Sequence, residues 1–132
     1  RHGGDLFHLY PYILTAQYVY GLRKDRMNDY WEAAVSLAER LNRIPGFRTV
    51  PEVPVCNMFH LYMDPSQEKV EAALVKVVEG TGVSLLGALS VRNNQTFSEM
   101  WLGDAHAFVP DETKDAAFAL LSRELAEAAA LS

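Results

Sequence analysis

The sequence predicts an α+β fold: a two-layer sandwich in which a small, mostly antiparallel sheet of about three or four strands packs against helices on one face. An apolar connecting helix precedes this sandwich. The prediction rests on the order of the segments, which is helix, helix, strand, strand, helix, strand, strand, helix. It rests also on the hairpin-like loops between strands and on amphipathic helices that can return to one face of the sheet.

The first segment, residues 1–22, begins with the pair Gly3-Gly4, which allows a tight turn. It continues as a predicted helix with apolar side chains on every side: Phe7, Tyr10, Tyr12, Ile13, Leu14, Tyr18, Val19 and Leu22. A helix that is apolar all round must be covered all round, and a small domain usually covers one side. We therefore expect it to pack against a second domain or a partner subunit. A central core helix of a self-sufficient domain is the alternative.

The second helix follows a charged connector at residues 21–27 and begins at Asn28 or Asp29, with Glu32 placed to complete a capping box from Asp29. Its apolar residues keep helical spacing and predict one buried face: Tyr30, Ala34, Leu37, Ala38 and Leu41. The sequence Ile44-Pro45-Gly46 ends it.

Two strands and a third helix come next. Phe47 to Val50 predicts a short strand, and residues 51–54 a stiff connector. Residues 57–63 alternate, which predicts a strand that buries Phe59, Leu61 and Met63. The helix begins at Asp64-Pro65, ends at Gly80 and Gly82, and buries an apolar stripe: Val70, Ala73, Leu74, Val77 and Val78.

The last third of the chain predicts two more strands and a helix. The strands are residues 83–86 and 97–102, with a loop or bent edge at residues 87–94 between them. In the second strand Phe97, Glu99 and Trp101 share one face. The helix begins near Pro110 and buries four residues: Phe118, Leu121, Leu125 and Ala128.

Composition excludes several classes of function. A chain of 132 residues forms one domain with a real core. The net charge of −5, without a basic run, argues against nucleic-acid binding. No apolar stretch is long enough to span a bilayer. The single cysteine, Cys56, excludes an internal disulfide and fits the reducing cytoplasm.

The opening carries a family resemblance. Arg1-x-Gly3-Gly4, followed by Leu6-Phe7 and Tyr10-Pro11-Tyr12, resembles the segment after the cofactor lysine in threonine aldolases and related β-eliminating lyases, and Gly103-Asp104-Ala105 is also motif-like. Those enzymes use pyridoxal 5′-phosphate (PLP) and have the aspartate-aminotransferase fold, fold type I. The resemblance implies that residues 1–27 are a connecting helix segment from a large PLP domain, and residues 28–132 a small C-terminal domain.

The same resemblance implies a function. The full-length enzyme would hold PLP, form a homodimer or tetramer, and act on small β-hydroxy amino acids by Cα–Cβ cleavage or β-elimination. This chain would close the cleft, support the dimer and be inactive alone, with no cofactor bound. Its lysines, Lys24, Lys69, Lys76 and Lys114, fall at solvated positions, so the cofactor lysine is expected upstream.

Site residues are also carried over from the resemblance. Arg1, Gly3 and Gly4 would bind the cofactor, and Arg92 and His8 the substrate, since a guanidinium can hold a carboxylate bidentately. The family tends to have its arginine closer to the next strand, where this chain has Thr96 to Glu99. An exposed arginine and a locally hydrogen-bonded histidine are the alternatives.

Two other classes of function were weighed. The first is a stand-alone α+β binding or regulatory module without catalysis. The second, a hydrolase or metal enzyme, has least support, because no catalytic nucleophile is apparent. The histidines also lack the spacing of a metal site: His2, His8, His60 and His106.

Overall fold

The computed structural model describes residues 12–130. It has five α-helices and four strands in that range: α1 Tyr12–Arg23, α2 Met27–Asn42, β1 Phe47–Val50, β2 Met58–Met63, α3 Gln67–Thr81, β3 Leu89–Arg92, β4 Gln95–Trp101, α4 Asp104–Phe108 and α5 Asp111–Ala130. A single 3₁₀ turn, Lys24–Arg26, joins α1 to α2. The α+β class and the antiparallel sheet predicted from the sequence are confirmed.

The four strands lie in the order β1-β2-β4-β3, and every neighbouring pair is antiparallel. One row of directly opposed residues crosses the whole sheet, with Arg48 opposite Tyr62, Tyr62 opposite Phe97, and Phe97 opposite Ser90. Because side chains alternate along each strand, members of this row share one face of the sheet.

Helices α2, α3 and α5 cover the other face of the sheet. The buried residues of α2 are the five that the helical spacing predicts: Tyr30, Ala34, Leu37, Ala38 and Leu41. All of these except Tyr30 belong to one apolar core with side chains of the strands and of the other helices, among them Leu61, Met63, Val70, Val77 and Leu121. The predicted burial of β2 is also confirmed, since Phe59, Leu61 and Met63 are each at most 2% exposed.

Helix α1 differs from these helices because none of its residues is buried. Leu14 is 73% exposed and Tyr18 is 68% exposed, so the central core helix considered as an alternative is absent at residues 12–23. Within residues 12–130, no helix combines the length and the apolar character needed to cross a membrane.

The junction of α1 and α2 corrects the sequence prediction of a charged connector at residues 21–27. The chain stays helical to Arg23 and, after the 3₁₀ turn, α2 begins at Met27. The predicted capping box is therefore wrong: Asp29 lies inside the first turn of α2 and its carboxylate is 3.8 Å from Arg26. A capping side chain is selected for at a free helix start, and here the preceding residues are already helical.

The start of α3 is a second correction. Its N-cap is Ser66 rather than Asp64. The predicted end is right, because Gly82 takes a left-handed conformation, with φ of 72°, directly after Thr81. Two flanking apolar positions are less buried than the spacing suggested, since Leu74 is partly buried and Val78 is 43% exposed.

The predicted strand at residues 83–86 is wrong. This segment is irregular, although Leu85 and Leu86 are buried. The strand lies further on, as β3, inside the predicted loop. A two-residue turn joins β3 to β4, with Asn93 and Asn94 at φ of 53° and 60°. Both angles suit the tight hairpin turn that asparagine tolerates better than most residues.

Candidate functional site: the open face of the sheet

The face of the sheet opposite the helices is the candidate site. Most of its side chains are arginine, aromatic or other polar groups: Arg48, His60, Tyr62, Ser90, Arg92, Phe97, Glu99 and Trp101. Val50, opposite His60, also lies on this face. At one end Met58 and Trp101 are opposite each other and are 43% and 75% exposed. We call this surface the open face.

Aromatic rings form the centre of the open face. The rings of His60 and Tyr62 stand edge-on to Phe97, with centroids 5.1 and 5.2 Å away. Edge-to-face packing places the positive ring edge over the negative ring face, which stabilises such pairs. Phe97 is only 4% exposed although it does not belong to the apolar core under the helices. Its cover therefore comes from neighbours on the open face itself.

An arginine is stacked at each side of this aromatic row. The guanidinium carbon of Arg92 lies 4.0 Å from the centroid of Phe97, and that of Arg48 lies 5.0 Å from the centroid of Tyr62. Arg92 reaches Phe97 diagonally, from the position next but one to the opposed residue Ser90. A cation above a ring face is attracted by the ring quadrupole, so both side chains have a preferred resting position.

Stacking leaves the N–H edges of both guanidinium groups available. Within residues 12–130, neither Arg48 nor Arg92 has an ion pair or a side-chain hydrogen bond, and both residues are exposed. A guanidinium fixed by its face presents its donors in one plane, which is the geometry that binds a carboxylate. The open face can therefore bind an anion without first breaking an ion pair.

A cleft of about 860 Å³ lies between α2, α5 and the irregular segment at residues 82–88, and it also reaches Glu99 and Trp101 of the open face. Its cations are already paired: Arg40 with Asp115 at 2.7 Å, and Lys114 with Asp111 at 3.0 Å. His106 also lines it, and burial together with the charge of Lys114 lowers the pKa of His106. A new anion would have to compete with these carboxylates, so the open face is the stronger candidate.

The site residues predicted from the resemblance are distributed unevenly. Arg92 lies on the open face, at the end of β3. Arg1, Gly3, Gly4 and His8 lie outside the described residues, so their roles stay predictions. Among residues 12–130, no group of His, Cys, Asp or Glu side chains is arranged to hold a metal ion.

Sequence reasoning missed Arg48, and it missed that Tyr62 and Phe97 form one row. The alternation in each strand had correctly placed Phe97, Glu99 and Trp101 on one face. The missing information was the pairing of β1, β2 and β4, which brings residues far apart in the chain side by side. A cross-strand search for arginine beside an aromatic residue would have found the candidates once the register was known.

Comparisons with known proteins identify the family. No family model matches the chain, and no curated protein is significantly similar to it. Solved structures are similar. A protein described as an aromatic amino acid β-eliminating lyase/threonine aldolase, from Exiguobacterium sp. 255-15, is 46% identical over 94% of this chain and 35% of its own, with a TM-score of 0.81.

A second solved structure agrees with the first. A protein described as an L-allo-threonine aldolase, from Listeria monocytogenes EGD-E, is 43% identical over 88% of this chain and 33% of its own, with a TM-score of 0.80. The chain thus spans about a third of the length of either protein. With this identity, and with the same fold along nearly all of its length, the chain belongs to the threonine aldolase/β-eliminating lyase family, of which it represents the C-terminal part.

Proposed function

We propose that this chain is the small C-terminal domain of a PLP-dependent lyase that acts on β-hydroxy amino acids, by threonine-aldolase-like Cα–Cβ cleavage or by β-elimination. In the whole enzyme the open face would close the substrate cleft. The described functions of the two similar proteins support the reaction class. The observation that carries the proposal for this domain is Arg92, stacked on Phe97 with its N–H edge available.

The role of Arg92 would be to hold the α-carboxylate of the amino-acid substrate. The guanidinium carbon of Arg92 lies 4.0 Å from the centroid of Phe97, and a guanidinium held over a ring keeps N–H donors of which a carboxylate can accept two at once. His60 and Tyr62 limit the lateral movement of the Phe97 ring. The substrate would therefore be held in one orientation, which lowers the entropic part of the barrier.

The described residues do not themselves fit PLP, since every lysine there is either exposed or already bonded to a polar partner. Lys24 is exposed, Lys69 lies 3.5 Å from the carbonyl oxygen of Ala128, and Lys76 pairs with Glu124. Lys114 is not at the solvated position expected from the sequence, because its side chain is only 14% exposed, but it pairs with Asp111 at 3.0 Å. We propose that a large domain holds PLP, together with Arg1, Gly3 and Gly4, and that this chain alone binds none and is inactive. When bound, PLP supplies the electron sink for cleavage at the substrate Cα.

Helix α1 supports the placement of this chain in a larger assembly. We propose that residues 1–27 connect the large domain to residues 28–132, and that α1 packs on the large domain or on a second subunit of a homodimer or tetramer. Tyr18 and Tyr20 are 68% and 67% exposed, and large apolar surfaces of this kind usually meet protein. A stand-alone binding module would leave them in water. We place the enzyme in the cytoplasm, since Cys56 is exposed and unpaired.

The experiment uses the full-length enzyme with a β-hydroxy amino acid as substrate. Arg92→Gln should lower kcat/KM about 10- to 100-fold, the effect expected for the loss of a charge-assisted carboxylate contact, with KM raised. Arg92→Lys should recover only part of the loss, because an ammonium cannot bind both oxygens in one plane. The cofactor absorbance of both variants should match that of the wild type.

Two controls make the result specific. Arg43→Gln removes an exposed arginine of the α2 C-terminus, whose partner is Glu39 at 2.5 Å, and should leave kcat/KM unchanged. Arg48→Gln removes the second arginine of the open face and should change kcat/KM less than Arg92→Gln does. An unchanged kcat/KM in Arg92→Gln would refute the carboxylate role, and a full-length protein without PLP absorbance would refute the lyase.

A further inference from the structure

The carboxylate of Asp104 binds three side chains at the junction between α1 and α2. Its Oδ2 is 3.2 Å from Nε of Arg23, and its Oδ1 accepts a hydrogen bond from the Tyr30 hydroxyl at 2.5 Å. Arg26 also donates to Oδ1. The Asp104 side chain is 27% exposed and Tyr30 is buried, so one partly covered anion binds two cations and a phenol.

These donors come from three successive pieces of the chain. Arg23 ends α1, Arg26 ends the 3₁₀ turn, and Tyr30 lies in the first turns of α2. Their spacing of three and four residues puts them on one side of a helical segment. A single carboxylate therefore spans the place where the helix axis can bend.

The direction of α1 is not set by burial. None of the residues of α1 is buried, whereas α2 buries five. The ion pair between Arg23 and Asp104 ties the end of α1 to the body of the domain. Arg26 adds a second tie three residues later, and its guanidinium also lies 5.3 Å from the centroid of the Tyr30 ring.

Asp104 is itself fixed to the sheet. It begins α4, three residues after the end of β4. The link between them is held to the start of β2, because the Leu102 N–H donates to the Asn57 carbonyl and the Asn57 side chain donates to the Leu102 carbonyl, both at 2.8 Å. The strand β4 that leads to Asp104 also carries Phe97, on which Arg92 is stacked.

We infer that Asp104 is a positioning residue that fixes the direction of α1 relative to the open face. This role rests on the proposed function, in which α1 connects this domain to the large domain that holds PLP. If α1 turned, the open face with Arg92 would move relative to that large domain. A displacement of about 1 Å between two halves of a site can cost on the order of 100-fold in rate.

The protonation of the cluster agrees with this arrangement. The Tyr30 hydroxyl hydrogen bond, and then the charges of Arg26 and Arg23, lower the pKa of Asp104. The same hydrogen bond raises the pKa of Tyr30. At neutral pH the carboxylate is therefore ionised and the phenol keeps the proton that it donates.

The test is hydrogen exchange of the full-length enzyme, followed in peptides that cover residues 12–26. Asp104→Asn keeps the size of the side chain but removes the charge that both arginines bind. We expect exchange in these peptides about tenfold faster than in the wild type. Asp115→Asn is the control, since it breaks the Arg40 ion pair on α5 and should leave residues 12–26 unchanged.

A double variant and kinetics separate positioning from a general loss of structure. Arg23→Gln should accelerate exchange in the wild type but add little in Asp104→Asn, because the shared contact is already lost. Per bound cofactor, kcat should fall about tenfold or more in Asp104→Asn, with KM within about threefold of the wild type. If Asp104→Asn does not fold, the double variant Arg23→Gln/Arg26→Gln breaks the same ion pairs from their exposed, cationic side and should accelerate exchange in residues 12–26 likewise.

The outcomes also separate this inference from the proposed function. Wild-type exchange at residues 12–26 in Asp104→Asn would overturn the positioning role, whatever the activity. If exchange were faster but kcat per bound cofactor were unchanged, the predicted effect of Asp104 on catalysis would be wrong. If the full-length protein were no lyase, the proposed function would fail, while the exchange experiment would still decide whether Asp104 holds α1.

Discussion

The two faces of strand β2 carry different kinds of side chain and have different surroundings. On the helix side Phe59, Leu61 and Met63 are at most 2% exposed and belong to one apolar core. On the other side His60 and Tyr62 are half-buried and contact Phe97. The first face stabilises the domain by removing aliphatic surface from water. The second holds cations and rings in place with their polar edges still accessible, as a binding surface requires.

The largest expected effect is on the free energy of unfolding, and it separates two adjacent residues on opposite faces of β2. Leu61→Ala, in the core, should reduce the free energy of unfolding by about 2–5 kcal/mol, because it removes buried methyl groups and leaves a cavity. Tyr62→Ala, on the open face, should cost about 0.5–1.5 kcal/mol, the value of an aromatic pair. Urea unfolding of the two variants, followed by circular dichroism, measures the difference.

This pair can also disprove the distinction between the faces. An equal cost for Tyr62→Ala and Leu61→Ala would mean that the open face is a structural core. In the full-length enzyme the order should reverse for catalysis. Tyr62→Ala should lower kcat/KM through loss of the packing around Phe97, and Leu61→Ala should leave the kcat/KM of folded molecules unchanged.

The second prediction concerns the one charged side chain buried among the helices in the described part of the chain. Glu124 of α5 is 7% exposed and pairs with Lys76 of α3 and, at 3.1 Å, with Arg123. The hydrogen bonds from Lys76 and Arg123 lower the pKa of Glu124 below its usual value. A lowered folded-state pKa stabilises the folded protein above the pKa of the unfolded chain, about 4.3, and this contribution is lost as the pH falls through the folded value.

Glu124→Gln should therefore destabilise the domain at pH 7 and have progressively less effect as the pH falls below about 4. Urea midpoints of the wild type and the variant across this range provide the measurement. A difference that is the same at every pH would contradict the role of the charge. Glu99→Gln, on the open face, is the matched control and should change the stability by less than about 0.5 kcal/mol.

The difference between α1 and α2 shows what the sequence could predict. The spacing of apolar residues predicted all five buried positions of α2, because one side of that helix is polar. In α1 the apolar residues surround the axis, which correctly indicated a helix that its own domain does not cover. The helical backbone of residues 21–27, which end α1, form the 3₁₀ turn and begin α2, could not be read locally. Arg23 and Arg26 in this stretch pair with Asp104, about 80 residues away, a contact that the local sequence does not indicate.

The errors at the sheet edge have a similar cause. Leu85 and Leu86 look like a buried strand, and they are buried, but burial does not require strand pairing. The strand that does pair, β3, is mostly exposed and lacks strong alternation. The signal was the Asn93-Asn94 pair, a residue type suited to a two-residue hairpin turn. The site role of Arg92 came from the resemblance and stays a prediction, and its contact with Phe97 could not be predicted from the sequence.

The smallest expected effect lies in this turn, next to Arg92. The residues Arg92 and Gln95 are directly opposed and close the hairpin, while Asn93 and Asn94 are both left-handed. Asn94→Gly relieves the steric cost of positive φ but adds freedom to the unfolded chain, so we expect a gain of about 0.5 kcal/mol at most. Asn94→Ala keeps the steric cost and loses the tolerance of asparagine, so we expect a loss of about 1 kcal/mol.

The two Asn94 variants should change the free energy of unfolding in opposite directions, and comparing them tests whether the turn positions Arg92 on the open face. Urea midpoints give the stability, and kcat/KM of the full-length enzyme gives the position of Arg92. If the turn places the guanidinium over Phe97, Asn94→Ala should lower kcat/KM while Asn94→Gly leaves it unchanged, because only the former strains the turn beside Arg92. If both variants lowered kcat/KM equally, the asparagine side chain itself would be needed, and the turn geometry would not explain where Arg92 lies.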